Sequence, residues 1–468
     1  MKLVDWAFEE FGDADLGDAR RSRRVVALAA SMALKPGGRV TAVVTHSAER
    51  EAAFRLLRNP AVDEAELARS SHLATLARLG NDKHFLVAVD QTGLTVTDTG
   101  ATKGFGRTGS KPHGQLRGLQ VMTAMAVRED GSCLGLCAQK WWCRVESKAP
   151  NWNDDRRPLS KRESWLWHSV IDQTELALDE GGHTNRAWYQ LDRGGDSYHV
   201  LRKARDEGLL ITVRSAYDRA LVSDGQSMRT KVSSSKVLGG FQHFLKPSAA
   251  RRAGHSACRA RKLVVRALPV RLRLTEYRPN FQKTEMDLWV VHVRESSPPR
   301  NAERLEWFLQ TTYPVKSKYD ALRVARAYCL RWRIEEFHKT WKSGACQMET
   351  SQLRSPQTFK RWATLHAAVA ARIERFKHTA RNAPSTPALQ VASRWEIDAA
   401  ILLTTRCRFK PGDELNTAEF VLLVANLGGY TGKSSGGPPG SIVIKRGFDQ
   451  VLAAGRALEA ASKLNICD

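Results

Sequence analysis

The chain has 468 residues, and its 73 lysines and arginines outnumber its 49 aspartates and glutamates, which gives a net charge of +24. Such a charge favours a polyanionic partner such as DNA or RNA, although ribosomal and membrane-surface proteins can be equally basic, and a hydrophobic content of 42% excludes a mainly disordered basic tail. No apolar run approaches a membrane span, the first residues lack a signal-peptide core, and the 8 cysteines form no Cys-x-x-Cys pair, so we expect a soluble, intracellular protein.

The N-terminal region, residues 1–70, is predicted to be helical. One helix carries an arginine cluster followed by the apolar residues of 25–29; the cluster is Arg20, Arg21, Arg23 and Arg24. A second helix, 49–57, is predicted to end before Pro60. We expect this region to be a DNA-binding domain in which the arginines recognise DNA; the alternative is a solvated helix face.

From about residue 80 the sequence predicts three strands, then a helix, a strand, a helix and a strand. The predicted strands are 84–90, 119–127, 135–144, 186–192 and 209–214, and the helices are 161–178 and 197–206. This order is that of an α/β fold with a ribonuclease-H-like core. Two acids, Asp90 and Asp192, each end an apolar strand.

The catalytic domain is predicted to span 71–370 and to contain an inserted β-subdomain at about 216–313. Its predicted strands lie at 262–268, 271–277 and 286–294, and they carry many arginines. After it the chain is predicted to be helical, with a C-terminal domain at 371–468. This domain has predicted helices at 417–427 and 447–464, separated by the glycine-rich loop Gly432–Gly440.

The most informative segment, 328–342, is predicted to be one helix. On a regular helix, four reactive side chains share a stripe about 60° wide; they are Tyr328, Arg331, Glu335 and Lys342. An apolar arc lies beside the stripe; it consists of Ala327, Leu330, Ile334, Phe337 and Trp341. The neighbouring carboxylate, Glu336, points about 100° away from Glu335. A carboxylate between cations suits a site that binds a metal and a phosphate together, and the alternative is an amphipathic helix with ordinary salt bridges.

Three acids can be combined into one predicted site. Asp90 and Asp192 at strand ends, with Glu335 on a later helix, can hold two hard divalent cations through oxygen ligands. One ion would activate the attacking water or 3′-hydroxyl, and the other would stabilise the leaving oxygen. A lone aspartate at a strand end is more often a turn or capping residue, so the prediction rests on the three acids together.

These motifs resemble those of a known family. The spacing Tyr328-x2-Arg331-x3-Glu335-x6-Lys342 resembles the Y-R-E-K signature of bacterial cut-and-paste DDE transposases of the insertion-sequence-four family, closest to the transposon-five type. Other similar stretches are Leu16-Gly-Asp-Ala-Arg-Arg, Phe54-Arg-Leu-Leu-Arg-Asn-Pro60, Trp141-Trp142, Arg331–Lys339 and Leu427-Gly-Gly-Tyr. The resemblance covers nearly the whole chain.

The resemblance implies roles for individual residues. The catalytic and metal-binding triad would be Asp90, Asp192 and Glu335, with two Mg²⁺ ions per site and Mn²⁺ able to substitute. The residues that hold DNA phosphate would be Tyr328, Arg331, Lys342 and Arg214. Trp307 and Trp332 would stack on DNA bases, Trp307 receiving a base flipped out of the transposon end.

The resemblance also implies the partners and the reaction. The protein would cleave double-stranded DNA at terminal inverted repeats, by way of a hairpin, and transfer the ends into target DNA in a cut-and-paste mechanism. It would act as a homodimer in a synaptic complex in the bacterial cytoplasm, associated with the nucleoid. Two alternatives are a domesticated or inhibitory relative that binds ends without cutting and a metal-dependent nuclease that acts alone. The glycines after Asp192 and the residues following Asp90 depart from the family pattern without removing an acid.

Overall fold

The computed structural model describes residues 3–96, 104–108, 116–144, 162–245, 259–276, 282–298, 304–432 and 439–464. The helices before the first strand are α1 (Leu3–Phe11), α2 (Ala19–Leu34), α3 (Val40–Val43), α4 (Ser47–Arg58) and α5 (Glu64–Leu76). The middle part contains β1 (His84–Val96), β2 (Gly106–Arg107), β3 (Arg117–Val127), β4 (Cys133–Trp142), α6 (Trp165–Glu180), β5 (Arg186–Leu191), α7 (Tyr198–Asp206), β6 (Leu210–Arg214), α8 (Met228–Ser233), β7 (Gly239–Leu245), β8 (Arg259–Glu276), β9 (Gln282–Glu295) and β10 (Glu306–Thr311). The later helices are α9 (Lys318–Leu330), α10 (Arg333–Lys342), α11 (Pro356–Asn382), α12 (Arg394–Leu403), α13 (Thr417–Leu427) and α14 (Ser441–Leu464).

The described strands form one mixed sheet. Its order is β3, β1, β5, β6, β10, β9, β8, β7, and both β2 and β4 pair with the other side of β3. β1 is antiparallel to β3 but parallel to β5, and β5 is parallel to β6. The mixed α/β architecture predicted from the sequence is confirmed, and its order from β4 to β6 is consistent with a ribonuclease-H-like core.

The sheet separates two hydrophobic layers. Along β1, Phe85, Val87 and Val89 pack in a layer with α6 and α7, whereas Leu86 and Ala88 pack in the layer that contains α9, α10 and α11. Successive side chains of a strand point to opposite faces, so Asp90 points toward the same layer as Leu86 and Ala88. This alternation directs the acid toward the helices that carry the rest of the predicted site.

The region predicted as an inserted β-subdomain lengthens the core sheet in the residues that are described. Its last strand, β10, pairs with β6 at Leu309 and Arg214, so the inserted strands continue the sheet instead of standing apart from it. The two strands predicted at 262–268 and 271–277 are one strand, β8, which runs through Pro269. In the described residues, β7 pairs with β8 only as far as Val265. Pro269, which has no backbone N–H to donate, therefore lies in a part of β8 that β7 does not cover.

The N-terminal helices share a hydrophobic core with α11. Two buried side chains of α11 donate hydrogen bonds to the backbone of the N-terminal region. Arg361 Nη1 donates to the Leu57 carbonyl and Trp362 Nε1 donates to the Gly38 carbonyl, both at 2.8 Å. The region is helical as predicted, but α5 continues past the predicted boundary at residue 70 to Leu76. The N-terminal helices are therefore packed against α11.

The C-terminal part is helical, as predicted, with two differences in its boundaries. The predicted boundary at 370/371 falls inside α11, because this helix is unbroken to Asn382 and has buried residues as far as His378. The helix predicted to begin at Gly447 begins at Ser441. Gly447 therefore lies inside the helix. A Cβ at this position would come within 1.7 Å of the Val424 carbonyl oxygen, so glycine permits close packing of α14 on α13. Residues 433–438 of the glycine-rich loop lie outside the described residues.

None of the helices that the structure describes is both long enough and apolar enough to cross a membrane.

Candidate active site

The segment predicted as one helix from 328 to 342 is two helices joined by a tight turn. α9 ends at Leu330 and α10 begins at Arg333, and the intervening backbone bonds span three residues instead of four. Arg331 N donates to the Tyr328 carbonyl at 3.1 Å, and Ile334 N donates to the Arg331 carbonyl at 3.2 Å. Arg331 and Trp332 keep right-handed helical dihedral angles, so the predicted stripe is tightened but its side chains still face one side.

Two of the predicted acids lie side by side where the parallel pairing of β1 with β5 ends. Asp192 follows the end of β5 as predicted, but Asp90 does not end its strand, because β1 continues to Val96 by pairing with β3. Val89 of β1 is paired in register with Leu191 of β5, so Asp90 and Asp192 follow at the same level of the sheet. Asp192 begins a short 3₁₀ turn and accepts a hydrogen bond from Gly194 N at 2.7 Å. The parallel pairing of β1 with β5 therefore brings these two carboxylates together.

Arg331 connects Asp90 with Glu335, the third acid. Its Nη2 donates to Glu335 Oε1 at 2.7 Å, and its Nη1 lies 3.8 Å from Asp90 Oδ2. Nη1 is buried and has no hydrogen-bond partner within the part of the chain that the structure describes. One guanidinium thus faces two carboxylates and keeps an N–H free to bind a further acceptor.

The electrostatics show that the three acids act on one another. Burial raises the pKa of Asp90 to about 7; the Arg331 charge opposes the shift, and the charges of Asp192 and Glu335 add to it. Burial also raises the pKa of Glu335, again against Arg331 and with Asp192 adding to the rise. Burial is the main cause of both shifts and neighbouring negative charge adds to it, so added positive charge is favourable beside Asp90 and Glu335.

Three of the four predicted phosphate-binding side chains surround this group. Burial raises the pKa of the Tyr328 phenol to about 12, while the nearby charges of Arg331 and Arg214 lower it. Burial lowers the pKa of Arg214, and the neighbouring Tyr328 and Asp192 oppose that shift. Arg214, Tyr328 and Arg331 are therefore close to one another and to Asp192.

Lys342, the fourth predicted phosphate-binding residue, contacts β1 beyond Asp90. Its Nζ donates to Thr92 Oγ1 at 3.2 Å and is 3.6 Å from Glu349 Oε1. Glu349 Oε1 also accepts from the backbone N–H of Thr95 at 3.2 Å. Lys342, on α10, thus contacts β1 at Thr92, two residues beyond Asp90, and lies at the border of the acidic group.

The two predicted base-stacking tryptophans differ in exposure. Trp307 on β10 is 8% exposed, and its ring meets the Tyr328 ring edge-on with centroids 5.3 Å apart. Trp332, in the turn between α9 and α10, is 41% exposed. Trp332 is available to solvent, whereas Trp307 is part of the wall behind Tyr328.

The predicted end-recognition arginines lie on α2, apart from the acids. Arg20 pairs with Asp18, its own helix cap, at 2.9 Å, and Arg21 Nη1 donates to the Leu16 carbonyl at 2.6 Å. Arg23 and Arg24 are exposed. The cluster forms the outer side of a helix whose other side is buried.

His338 is an additional residue beside the acids that the sequence prediction missed. It is buried, and its Nδ1 lies 3.9 Å from Asp90 Oδ2. Burial lowers its pKa to about 3, so the ring is neutral. The only sequence signal was its position three residues after Glu335, one turn along the same helix. No sequence signal marked Glu349, because it reaches the site from a separate 3₁₀ turn.

A second acidic cluster lies behind α10. Ligand atoms of Glu336, Glu374 and His378 lie within 4.8 Å of one another. Two cations already neutralise the acids: Lys377 Nζ is 2.6 Å and 2.8 Å from the Glu374 oxygens, and Arg333 Nη1 is 2.9 Å from Glu336 Oε2. His378 Nδ1 accepts from Cys133 N at 3.3 Å, which places the ring proton on Nε2 and leaves no lone pair there for a metal. This cluster is therefore better suited to bind α10 to α11 than to hold an ion.

Two protein families match parts of this chain. Residues 4–62 match the family described as transposase DNA-binding, and this range contains the α2 arginines. Residues 153–371 match the family described as transposase DDE domain, and this range contains Asp192 and Glu335. Asp90 precedes the second match, on the strand that pairs with β5.

Proposed function

Because this chain carries the DNA-binding and DDE domains of a transposase, we propose that it excises and inserts a mobile DNA element by cut-and-paste transposition. The observation that carries the proposal is the grouping of three acids: the parallel pairing of β1 with β5 places Asp192 beside Asp90, and Arg331 faces both Asp90 and Glu335. The Y-R-E-K spacing supports assignment to the insertion-sequence-four family and to the transposon-five type.

A DDE domain implies the use of a divalent metal ion. We propose that Asp90, Asp192 and Glu335 bind it, with Mg²⁺ as the natural ion, two ions per site and Mn²⁺ as a substitute. The donor set fits, because these are hard carboxylate oxygens, and burial, with a smaller contribution from the neighbouring acids, raises the pKa of Asp90 and Glu335. When bound, the metal would activate the attacking oxygen and stabilise the leaving oxygen.

The other residues of the site bind and orient the DNA in this proposal. Arg331 keeps a buried, unpaired N–H beside the acids, and a phosphate oxygen is the acceptor that best matches it. Tyr328 and Arg214 flank the same space, so the three could hold one phosphate against Asp192. Lys342, tied to Thr92 and Glu349, would contact the next phosphate along the strand.

The partners follow from the same assignment. We propose that the α2 arginines recognise terminal inverted repeats, that a homodimer pairs two ends, and that cleavage proceeds through a hairpin before transfer into target DNA. Trp307 would receive a flipped base, and the exposed Trp332 would stack nearby. The described helices α12 to α14 would contribute to the dimer.

The test uses purified protein and DNA that carries the inverted repeats flanking the reading frame. We expect Asp90→Ala and Asp192→Ala to abolish Mg²⁺-dependent nicking and to retain DNA binding in a gel-shift assay. The acids supply ligands to a metal, whereas affinity comes mainly from arginine and lysine contacts to phosphate. If either variant cut at the wild-type rate, that residue would not belong to the catalytic set. A wild-type protein that binds the ends without cutting them would favour an inhibitory relative.

A further inference from the structure

Asp196 is a buried carboxylate at the end of the turn that Asp192 begins. Its side chain has no exposed area and carries a full set of donors. The backbone N–H of Ala216 donates to Oδ2 at 2.7 Å, and that of Tyr217 donates at 3.2 Å. Arg219 Nη1 lies 2.7 Å from Oδ1 and 2.9 Å from Oδ2.

A further donor comes from β10. Gln310 Nε2 donates to Asp196 Oδ1 at 3.2 Å, and Gln310 Oε1 accepts from Arg219 Nη1 at 3.4 Å. Asp196, Arg219 and Gln310 therefore bond to one another in a closed triangle. Gln310 is fully buried and lies three residues after Trp307 on the same strand.

The triangle joins three segments that carry parts of the proposed site. The turn from 192 to 196 holds Asp192, the loop that follows β6 begins just after Arg214, and β10 holds Trp307. Both oxygens of Asp196 accept hydrogen bonds from the protein, so this carboxylate is already saturated with donors. Asp192, in contrast, has one described hydrogen bond to its carboxylate, from Gly194. Asp196 is thus suited to hold the backbone and Asp192 to bind an ion.

The turn needs such an anchor because it contains two glycines. A Cβ on Gly195 would lie 2.8 Å from Leu191 Cβ, and one on Gly194 would lie 3.0 Å from both Asp192 Oδ1 and the Trp167 ring. Glycine permits this close packing but gives the backbone greater conformational freedom than any other residue. A carboxylate fixed at the far end of the turn limits that freedom.

We propose that Asp196 is a positioning residue that sets the placement of Asp192 relative to Arg214. The inference rests on the proposed function, because it assumes that Asp192 binds metal and that Arg214 binds phosphate. Asp196 itself touches neither group. Its loss should loosen both segments and weaken metal binding through Asp192.

The test compares Asp196→Asn with Asp398→Asn in the full-length protein. Asp398 is a matched control, since it also binds an arginine, Arg394, at 2.6 Å and a backbone N–H, that of Gly412, at 2.9 Å, but lies in the C-terminal helices. Amide hydrogen exchange is measured over 192–196 and 214–219, and Mn²⁺ affinity is measured by electron paramagnetic resonance. We expect Asp196→Asn to accelerate exchange in both segments and to weaken Mn²⁺ binding at least about tenfold, the scale for loss of a residue supporting a metal ligand. Asp398→Asn should change neither.

A second pair of variants tests the same triangle even if Asp196→Asn does not fold. Arg219→Met removes the cation from the triangle, and Arg219→Lys restores a positive charge at the same place. We expect the methionine variant to loosen the two segments and weaken Mn²⁺ binding, and the lysine variant to recover at least part of both.

Three results would overturn the inference. Unchanged exchange in both segments would show that Asp196 does not hold them. If Asp196→Asn and Asp398→Asn lost Mn²⁺ affinity equally, each in proportion to its fall in melting temperature, Asp196 would only stabilise the fold. If Glu335→Gln left Mn²⁺ binding intact while exchange still accelerated in Asp196→Asn, the proposed metal site would fail, and the catalytic part of the inference with it.

Discussion

At the scale of single residues, the main feature is the electrostatic conflict around Asp90. Burial raises its pKa to about 7, with Arg331 opposing and two neighbouring acids reinforcing the shift. A metal ion must displace the proton before it can bind the carboxylate. Proton and metal therefore compete for Asp90 close to neutral pH.

We expect the affinity for Mn²⁺ to fall about tenfold for each pH unit below about 7 and to change little above it. Calorimetric titration of the DNA-free protein between pH 5.5 and 8.5 measures this, with controls for folding at each pH. An affinity that stays constant between pH 7.5 and 5.5 would show that Asp90 ionises as an ordinary aspartate or is not a ligand.

The same group affects stability in the opposite direction. Because the folded-state pKa is raised, its stabilising contribution is complete below the unfolded value of about 4 and is lost as the pH rises through about 7. In the presence of a chelator, Asp90→Asn should therefore raise the melting temperature at pH 8 more than at pH 5. An equal change at both pH values would contradict this sign.

Trp307 offers a residue-scale test of the hairpin step. If it stacks on a flipped base, Trp307→Ala should spare the first nick and slow hairpin formation by roughly five- to hundredfold, the effect of losing about 1–3 kcal/mol of stacking. Its 8% exposure makes a structural role the competing explanation. The fully buried Trp362 is the control, because Trp362→Ala should lower both steps together. Equal loss of nicking and hairpin formation in Trp307→Ala would rule out the stacking role.

The sequence allowed the three acids to be proposed as a site, but it did not indicate all of their neighbours. Asp90 and Asp192 were singled out because each follows an apolar run that predicts a buried strand, and such runs can be seen in the sequence itself. Asp196 could not be predicted, since its donors come from residues twenty or more positions away. Its role depends on contacts between segments, which the linear order does not contain.

At the scale of elements, the helix that carries Glu335 shows what periodicity can and cannot predict. The apolar arc was correct, since Ile334, Phe337 and Trp341 are buried. The break at Arg331 and Trp332 was not predicted, because neither residue is a helix breaker and both keep helical dihedral angles. The break arises from a change in hydrogen-bond pattern, which side-chain spacing does not reveal.

Helix α2 provides an element-scale prediction. Replacing Arg23 and Arg24 with alanine should weaken DNA binding and reduce its salt slope by up to about two, roughly one for each lost phosphate contact. Both side chains are exposed, so folding should be unaffected. Affinity is measured at several salt concentrations, and the control is the alanine variant of Arg202 on α7, an arginine that is also exposed but lies outside the N-terminal region. An unchanged slope in the double variant would mean that these arginines form only a solvated helix face.

At the scale of the whole molecule, the sequence predicted the order of the core strands but not the extent of the sheet. Strand order from β1 to β6 follows from the chain order of strands and helices, because short connections restrict the topology. The pairing of β10 with β6 joins residues about a hundred positions apart, and no local pattern specifies it. The packing of the N-terminal helices on α11 was missed for the same reason.

We propose that the carboxylate group around Arg331, and not the cluster behind α10, supports metal-dependent DNA cleavage. Glu335 and Glu336 are adjacent in sequence but belong to different groups, since Glu335 pairs with Arg331 and Glu336 pairs with Arg333. The most direct measurement compares Glu335→Gln with Glu336→Gln in a single-turnover nicking assay on transposon-end DNA, with a Mg²⁺ titration and a gel-shift control. We expect Glu335→Gln to bind DNA without cutting it and Glu336→Gln to retain cleavage with a Mg²⁺ requirement close to that of the wild type. Cleavage by Glu335→Gln at the wild-type rate, or its loss in a folded Glu336→Gln protein that still binds DNA, would contradict the claim.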